Sequence, residues 1–224
     1  MKFNAFNNII ISSLATFLFL GCELKNPVNV EHGNYEIVIQ PDPEEGEDTF
    51  VKFEACFPYV IYNKDNFGDS SRIYISYIGG YPFSNIIKSE CLFKIPRFSS
   101  LENAFDIDSV SVSLYGKVWP VPFCNNLPAF KANGIIDDFE EGSTYWDDSL
   151  RTNMFDYNIQ TVDTNYCWTT WNLGDYSKLK NLEGIVIKPS EYGPYWLSDY
   201  EAYSSDEMDS THLRPKWTFY CSSK

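Results

Sequence analysis

The stretch that decides the fold lies in the middle of the chain and reads Ile107-Asp108-Ser109-Val110-Ser111-Val112-Ser113-Leu114-Tyr115. Apolar residues recur at every second position, so that Val110, Val112 and Leu114 share one face. A period of two is typical of a half-buried β-strand and directs the serines and Tyr115 to the opposite face. The stretch therefore predicts an antiparallel strand with one side in a core.

The same alternation recurs along the rest of the chain. It is found in residues 35–40, 49–54, 72–77, 90–95, 158–162, 185–187 and 217–220. Turn residues separate these segments, as in residues 65–69 and 79–82. Eight or more short strands without long helical patterns predict an all-β fold, an antiparallel β-sandwich or jelly roll with at most one short helix. We expect the core to contain Phe93, Val112, Leu114, Trp217 and Phe219.

Residues 163–171 are ambiguous. Asp163 could cap a short helix in which Cys167, Trp168 and Trp171 share a face at helical spacing. Thr169 and the neighbouring aromatic residues favour a strand instead. We predict a helix of one or two turns here.

The N-terminus predicts export and lipid anchoring. Residues 1–21 contain Lys2 and then an apolar stretch that is short and interrupted by serines, which is typical of a signal peptide. The stretch ends Leu18-Phe19-Leu20-Gly21-Cys22, similar to a bacterial lipobox; the alternative is a plain secretory signal with an incidental cysteine. We therefore expect a signal peptide at 1–21, a tether at 22–33 that starts from lipidated Cys22, and one domain at 34–224. Because Glu23 rather than an aspartate follows Cys22, the outer membrane is the favoured location.

Composition excludes several classes of protein. The chain has 224 residues, 44% hydrophobic and 17% aromatic, which is not the composition of a disordered chain. A net charge of −14 repels phosphate backbones, so nucleic acid is not an expected partner. Two histidines leave little for a histidine-based metal site or catalytic triad. The acidic runs at 44–48 and 206–209 could bind calcium, although solvated charge is the more ordinary interpretation; no cofactor is predicted.

Several segments, taken in order, resemble the DNRLRE domain, a disaggregatase-related bacterial module. The matching segments are residues 40–51, 66–75, 91–96, 107–115, 139–146, 171–188, 203–206 and 214–219. Lys94, Phe139 and Ala202 depart from the residues usual in that family. The resemblance implies a β-sandwich, and in some members of the family the domain binds carbohydrate.

The loop Tyr192-Gly193-Pro194-Tyr195-Trp196 concentrates three rings where glycine and proline prevent regular structure. Exposed rings offer flat apolar platforms on which sugars stack, although these rings could instead cover the end of the sandwich. We predict a non-catalytic module that binds a polysaccharide through Tyr192, Tyr195 and Trp196, with Trp119 as a second candidate.

Two alternatives stay open. The first is a structural or adhesive surface protein, which a flat apolar patch would favour; the second is a polysaccharide-degrading enzyme, which a cleft with paired carboxylates would favour. No catalytic motif is present, so an enzyme is not expected. The net charge favours a neutral glycan unless calcium or a basic patch such as residues 178–180 intervenes.

Export permits disulfides, but spacing does not determine them. Besides Cys22 the chain has five cysteines, Cys56, Cys91, Cys124, Cys167 and Cys221. Two bridges would leave one thiol over, and the alternative is buried reduced thiols on strands, above all at inward-facing Cys91.

Overall fold

The computed structural model describes residues 34–40, 48–56, 63–66, 70–78, 85–96, 99–119, 128–140, 150–190 and 197–224. Several predicted features lie wholly or partly outside these residues: the signal peptide, the tether with Cys22, the acidic run at 44–48, Cys124, most of the DNRLRE-like segment 139–146, and the loop with Tyr192, Tyr195 and Trp196. Within the described part of the chain, no helix has the length and apolar character needed to cross a bilayer.

Twelve strands make up most of the described structure. They are β1 (Asn34–Ile39), β2 (Asp48–Cys56), β3 (Asn63–Asn66), β4 (Arg72–Ile78), β5 (Asn85–Lys94), β6 (Phe105–Val118), β7 (Ala129–Ile135), β8 (Thr152–Thr161), β9 (Cys167–Asp175), β10 (Gly184–Pro189), β11 (Leu197–Tyr203) and β12 (Lys216–Ser223). Two short helices, α1 (Ser99–Ala104) and α2 (Tyr176–Leu179), and a 3-10 turn at Thr211–Leu213 complete the described elements.

Two long strands organise the pairing, all of which is antiparallel. One edge of β6 pairs first with β12 and then, at Gly116–Val118, with β11, while its other edge pairs with β9. One edge of β5 pairs with β2, while the other is shared between β4 and β10. The β4–β11 pair therefore joins the strands around β6 to the strands around β5, and the resulting twelve-stranded sheet is open.

Both groups of strands contribute to one core, which gives the fold its sandwich-like character. Trp217 and Phe219 of β12 pack in the same cluster as Phe93 of β5 and Ile185 of β10. Trp171 of β9 is fully buried and donates its indole N–H to the carbonyl oxygen of Phe130 at 3.2 Å. The predicted all-β antiparallel fold and the five predicted core residues are confirmed.

The sequence interpretation was wrong about helices. The predicted helix at residues 163–171 is instead an irregular segment followed, from Cys167, by the start of β9, in which Trp171 and Leu173 are buried while Asn172 is exposed. The β-branched and aromatic residues Trp168–Trp171 pair with Val112–Tyr115 of β6, and this tertiary pairing overrides a local capping signal. The described residues contain two short helices, α1 and α2, rather than at most one.

Two smaller predictions are corrected or resolved. Asn63–Asn66, part of which was expected to be a turn, forms β3 because it pairs with Val51–Glu54 of β2. Cys91, Cys167 and Cys221 are reduced, and Cys91 and Cys221 are buried, so the reduced-thiol alternative holds for these three described cysteines.

Candidate functional site

Five aromatic side chains gather on the outer surface of the sheet, at the end of β6 that is remote from Asn34, where β1 begins. They are Tyr115, Trp119, Tyr166, Trp168 and Tyr203, here called the aromatic face. The Tyr115 ring lies at the centre, with centroids 5.8 Å from Tyr166, 5.4 Å from Trp168 and 5.9 Å from Tyr203. Tyr115 and Tyr166 are stacked, with an interplanar angle of 18°.

Strand alternation places these rings outside. On β6, Leu114, Gly116 and Val118 point into the core, so Tyr115 and Lys117 point outward, and Trp119 follows the strand. On β9 the buried Trp171 directs Trp168 outward, and on β11 the buried Ala202 directs Tyr203 outward. Three strands from distant parts of the chain thus present rings on one side of the sheet.

Gly116 allows β11 to approach β6 beneath this surface. A Cβ atom at position 116 would lie 2.3 Å from the carbonyl oxygen of Glu201 and 2.8 Å from the Tyr200 ring. Both neighbours are held by strand pairing and burial, so a side chain here would force the strands apart. The glycine between Tyr115 and Lys117 is therefore a geometric requirement of the site.

Three cations lie over the rings of the aromatic face. The Arg72 guanidinium carbon is 3.3 Å from the centroid of the Tyr203 ring. Lys117 Nζ is 3.8 Å from the Trp119 ring and 4.6 Å from the Tyr166 ring, and Lys216 Nζ is 3.8 Å from the Trp168 ring. These distances are within the range of favourable cation–π contacts.

Glu201 holds the groups of the face together. Its carboxylate accepts hydrogen bonds from Trp119 Nε1 at 2.8 Å and from the Tyr166 hydroxyl at 3.1 Å. One of its oxygens also lies 3.5 Å from Arg72 Nε. The Glu201 side chain lies on the same side of β11 as Tyr203 but is only 12% exposed, so it lies among the groups of the face rather than projecting into solvent.

Burial and the Glu201 charge shift the pKa values of nearby groups. Burial, assisted by the negative charge of Glu201, raises the pKa of Tyr166 to about 12, so its hydroxyl remains a donor at neutral pH. Burial also raises the pKa of Tyr74, and the neighbouring Glu201 charge adds to that effect. The pKa of Asp199 is raised by burial and then by Glu201, two residues away on the same side of β11.

The aromatic face is exposed as well as ordered. Trp119, Tyr166 and Trp168 are 44%, 37% and 36% exposed. Large exposed apolar rings that cluster, rather than lying scattered over the surface, make this face the candidate binding site. The face can stack against a flat apolar ligand while its cations bind polar or charged substituents.

Only part of the predicted site can be placed. Trp119, the second candidate, belongs to the aromatic face. Tyr192, Tyr195 and Trp196 lie outside the described residues, although the chain runs from them directly into β11 at Leu197. Lys178 of α2 and Lys180, the residue that follows α2, are exposed away from the face.

Sequence reasoning missed four members of the face: Tyr115, Tyr166, Trp168 and Tyr203. The alternation of residues 107–115 does predict that the Tyr115 side chain points outward. Trp168 was assigned to the wrong element because residues 163–171 were taken for a helix. Nothing local to Tyr166 or Tyr203 indicates that they meet Tyr115, since that contact depends on strand pairing.

The acidic cluster at residues 206–209 is a structural feature of the turn after β11. Glu207 Oε2 is 2.6 Å from the Arg72 guanidinium, and its Oε1 accepts from the backbone N–H groups of Asp209 and Ser210, each at 3.0 Å. Arg214 Nε donates to the Glu207 carbonyl oxygen at 2.7 Å. Among the described residues, no three His, Cys, Asp or Glu side chains are placed to hold a metal ion.

A small cavity of about 170 Å³ lies at the opposite end of β6. Glu102 of α1, Tyr176 of α2 and Lys224 are among its lining residues. The Tyr176 hydroxyl donates to the Glu102 carboxylate, and Lys224 Nζ donates to the Glu102 carbonyl oxygen at 2.6 Å. Its polar groups therefore bond to one another, and the aromatic face is the stronger candidate site.

Comparisons with known proteins identify neither a family nor a relative from which a function could be inferred. A scan of protein-family models finds no family that matches the chain, and a search of curated proteins finds no similar protein. Two residues that depart from the DNRLRE pattern lie close together: Lys94 Nζ is 2.7 Å from an Asp138 carboxylate oxygen and 5.0 Å from the Phe139 ring. The resemblance to the DNRLRE domain stays a prediction.

Proposed function

We propose that this protein is an exported, lipid-anchored, non-catalytic module of the bacterial cell envelope that binds a polysaccharide through the aromatic face. The observation that carries the proposal is the grouping of five rings, from β6, β9 and β11 and the residues next to them, on one side of the sheet, three of them at least 36% exposed. A resemblance to a domain with carbohydrate-binding members supports the same function.

Sugar rings suit this surface because they present an apolar C–H face and a rim of hydroxyl groups. The exposed indole of Trp168 and the phenol ring of Tyr166 offer apolar area with polar edges. Lys117 and Lys216, half-buried beside those rings, supply donors for hydroxyl or acidic substituents. Stacking and hydrogen bonding are thus available within one site.

The position of β1 supports display of the aromatic face away from a membrane. Asn34, the first residue of β1, pairs with Ser222 of β12, which in turn pairs with Asp106 of β6. Tyr115 is nine residues further along β6, or about 30 Å at ordinary strand spacing. A lipid at Cys22 would therefore hold the end of the domain that is remote from the rings. The predicted Tyr192, Tyr195 and Trp196 platform, which precedes β11 in the chain, is proposed as an extension of the face.

Calorimetry with single-ring variants tests the proposal. A pull-down with soluble and insoluble polysaccharides identifies a ligand for the full chain, and Trp168→Ala and Tyr166→Ala are then titrated with that ligand. Each lost stacking contact is expected to weaken binding by about 1 kcal/mol, or roughly fivefold. The variants should unfold at nearly the wild-type temperature, because both side chains are exposed.

Tyr220→Ala is the matched control. Tyr220 is 40% exposed and lies on the same side of the sheet, four residues from Lys216 along β12, or about 13 Å away. It should bind the polysaccharide as tightly as the wild type. Equal losses in all three variants, or no loss in the two aromatic-face variants, would contradict this location for the site.

A further inference from the structure

The cations of the aromatic face indicate which glycans it can accept. The chain has 17 Lys and Arg residues against 31 Asp and Glu. Three of those cations nonetheless converge on one group of rings, at 3.3 Å from Tyr203 for Arg72, 3.8 Å from Trp119 for Lys117 and 3.8 Å from Trp168 for Lys216. At the face three cations therefore accompany two carboxylates, Glu201 and Glu207, whereas acidic residues outnumber basic ones in the whole chain.

Two carboxylates near these cations are little exposed because neighbouring groups contact them. Glu201 is 12% exposed and its oxygens bond Trp119 and Tyr166. Glu207 is 8% exposed, contacts Arg72 and accepts two backbone N–H groups. Both carboxylates contact the Arg72 guanidinium, and Glu201 also lies directly opposite Lys117 in the β6–β11 pairing, so three cations and two carboxylates meet at the rings.

The net charge of −14 does not decide what binds here. At physiological ionic strength, charges more than about 8 Å apart across solvent are largely screened. An anionic group that contacts Lys117 therefore interacts mainly with the ammonium and with the ring quadrupoles beside it. An ammonium group that lies over a ring can still donate hydrogen bonds to a ligand through the N–H groups that point away from the ring. Hydrogen bonds that involve a charged group are stronger than neutral ones.

We infer that the aromatic face selects polysaccharides that carry acidic groups, either carboxylates or sulfate esters, and that Lys117 and Lys216 bind those groups while the rings stack on the sugars. This inference rests on the proposed function and replaces the neutral glycan expected from composition. The basic patch that permits it is not the one at residues 178–180 but the one built by β6 and β12 at the rings.

Two matched pairs of polysaccharides test the inference on the full chain. Dextran sulfate is compared with dextran, and polygalacturonate with its methyl ester, so that each pair differs only in the acidic group. The protein is expected to bind one or both acidic polymers at least about tenfold more tightly than the neutral counterpart, with affinity falling as salt rises. Preference for the sulfate or for the carboxylate polymer identifies which acidic group is recognised.

The double variant Lys117→Gln with Lys216→Gln should lose most of this preference, and each single variant should bind the acidic polymer about fivefold more weakly. The control is Lys178→Gln with Lys180→Gln. It has the same net charge but changes the exposed lysines at the end of α2, next to the cavity at the far end of β6. It should bind like the wild type.

The outcomes separate the inference from the proposed function. If neutral and acidic polymers bind equally and Trp168→Ala weakens both, the aromatic face binds glycans but the inferred selectivity is wrong. Equal losses in the two double variants would show binding by overall charge and would also overturn it. If none of the four polymers nor any other polysaccharide binds, or if Trp168→Ala leaves binding unchanged, the proposed function itself fails.

Discussion

The fold shifts the pKa values of Asp199 and Asp163 in opposite directions, so the two carboxylates affect stability with opposite pH dependence. Asp199 is half-buried on β11, and burial together with the Glu201 charge raises its pKa. Asp163 is exposed after β8, and its pKa is lowered, first by a hydrogen bond from the backbone N–H of Asn165 at 2.8 Å. The folded state therefore disfavours the charge on Asp199 and favours the charge on Asp163.

Asp199→Asn should stabilise the protein at neutral pH. A raised folded-state pKa means that wild-type stability is complete below the unfolded value of 3.8 and decreases as the pH rises through the folded-state pKa. Asparagine does not ionise, so the variant does not lose stability as the pH rises. Its unfolding free energy should exceed that of the wild type at pH 7 and match it below about pH 3.5. Urea unfolding at a series of pH values measures the difference.

Asp163→Asn is the control with the opposite sign. Its wild-type contribution is present above pH 3.8 and lost as the pH falls through the lowered folded-state pKa, so the variant should be the less stable protein at pH 7. Equal stability of the Asp199 variant and the wild type at pH 7 would show that the Asp199 charge is solvated in the folded state.

At the scale of elements, β12 is the strand on which the group around β6 depends. It pairs with β1 along Asn34–Ile39 and with β6 along Phe105–Ser113. It also places Trp217, Phe219 and Cys221 in the core, each at most 2% exposed. Removing it would leave two strands without their shared partner and expose much of one side of the core.

A chain that ends at Asp209 should fail to fold cooperatively. Truncating one buried Phe or Trp to Ala typically costs about 3–5 kcal/mol, and this deletion removes one of each together with two hydrogen-bonded pairings. Thermal unfolding followed by circular dichroism should show no cooperative transition. A chain that lacks only exposed Lys224 is the control and should melt like the wild type. A cooperative transition of the Asp209 truncation near the wild-type midpoint would show that β12 is dispensable.

For the whole molecule, anchoring and binding should be separable because they are predicted at opposite ends of the domain. The rings lie about 30 Å along β6 from the end at which β1 begins. The predicted lipid attaches at Cys22, twelve residues before Asn34. A change at the anchor should therefore alter location without altering the affinity for polysaccharide.

Cys22→Ser should abolish acylation and release the protein from the envelope. Metabolic labelling with a fatty acid should tag the wild type and the control Cys167→Ser, whose half-buried thiol lies on β9, but not Cys22→Ser. The released protein should still bind the polysaccharide with wild-type affinity in calorimetry. Label that persists in Cys22→Ser would rule out the lipobox prediction.

The strands and the core could be read from the sequence because both follow from a local rule. Successive side chains of a strand point to opposite faces, so alternation alone separates Val112 and Leu114 from Ser113 and Tyr115. The burial of Trp217 and Phe219 followed in the same way. The rule failed at residues 163–171, where capping, helical and strand signals coexist and the partner strand decides the outcome.

The aromatic face was decided by tertiary structure alone. Tyr115, Trp168 and Tyr203 are separated by 53 and 35 residues, and they meet only because β9 and β11 pair with β6 in particular registers, Trp168 opposite Tyr115 and Ala202 opposite Gly116. A shift of one residue in either register would turn the rings into the core. Composition and alternation determined that this chain would be an acidic β-protein rich in aromatic residues. Long-range hydrogen bonding determined which rings and cations form one surface, because each strand pairs with a segment that is distant in the sequence.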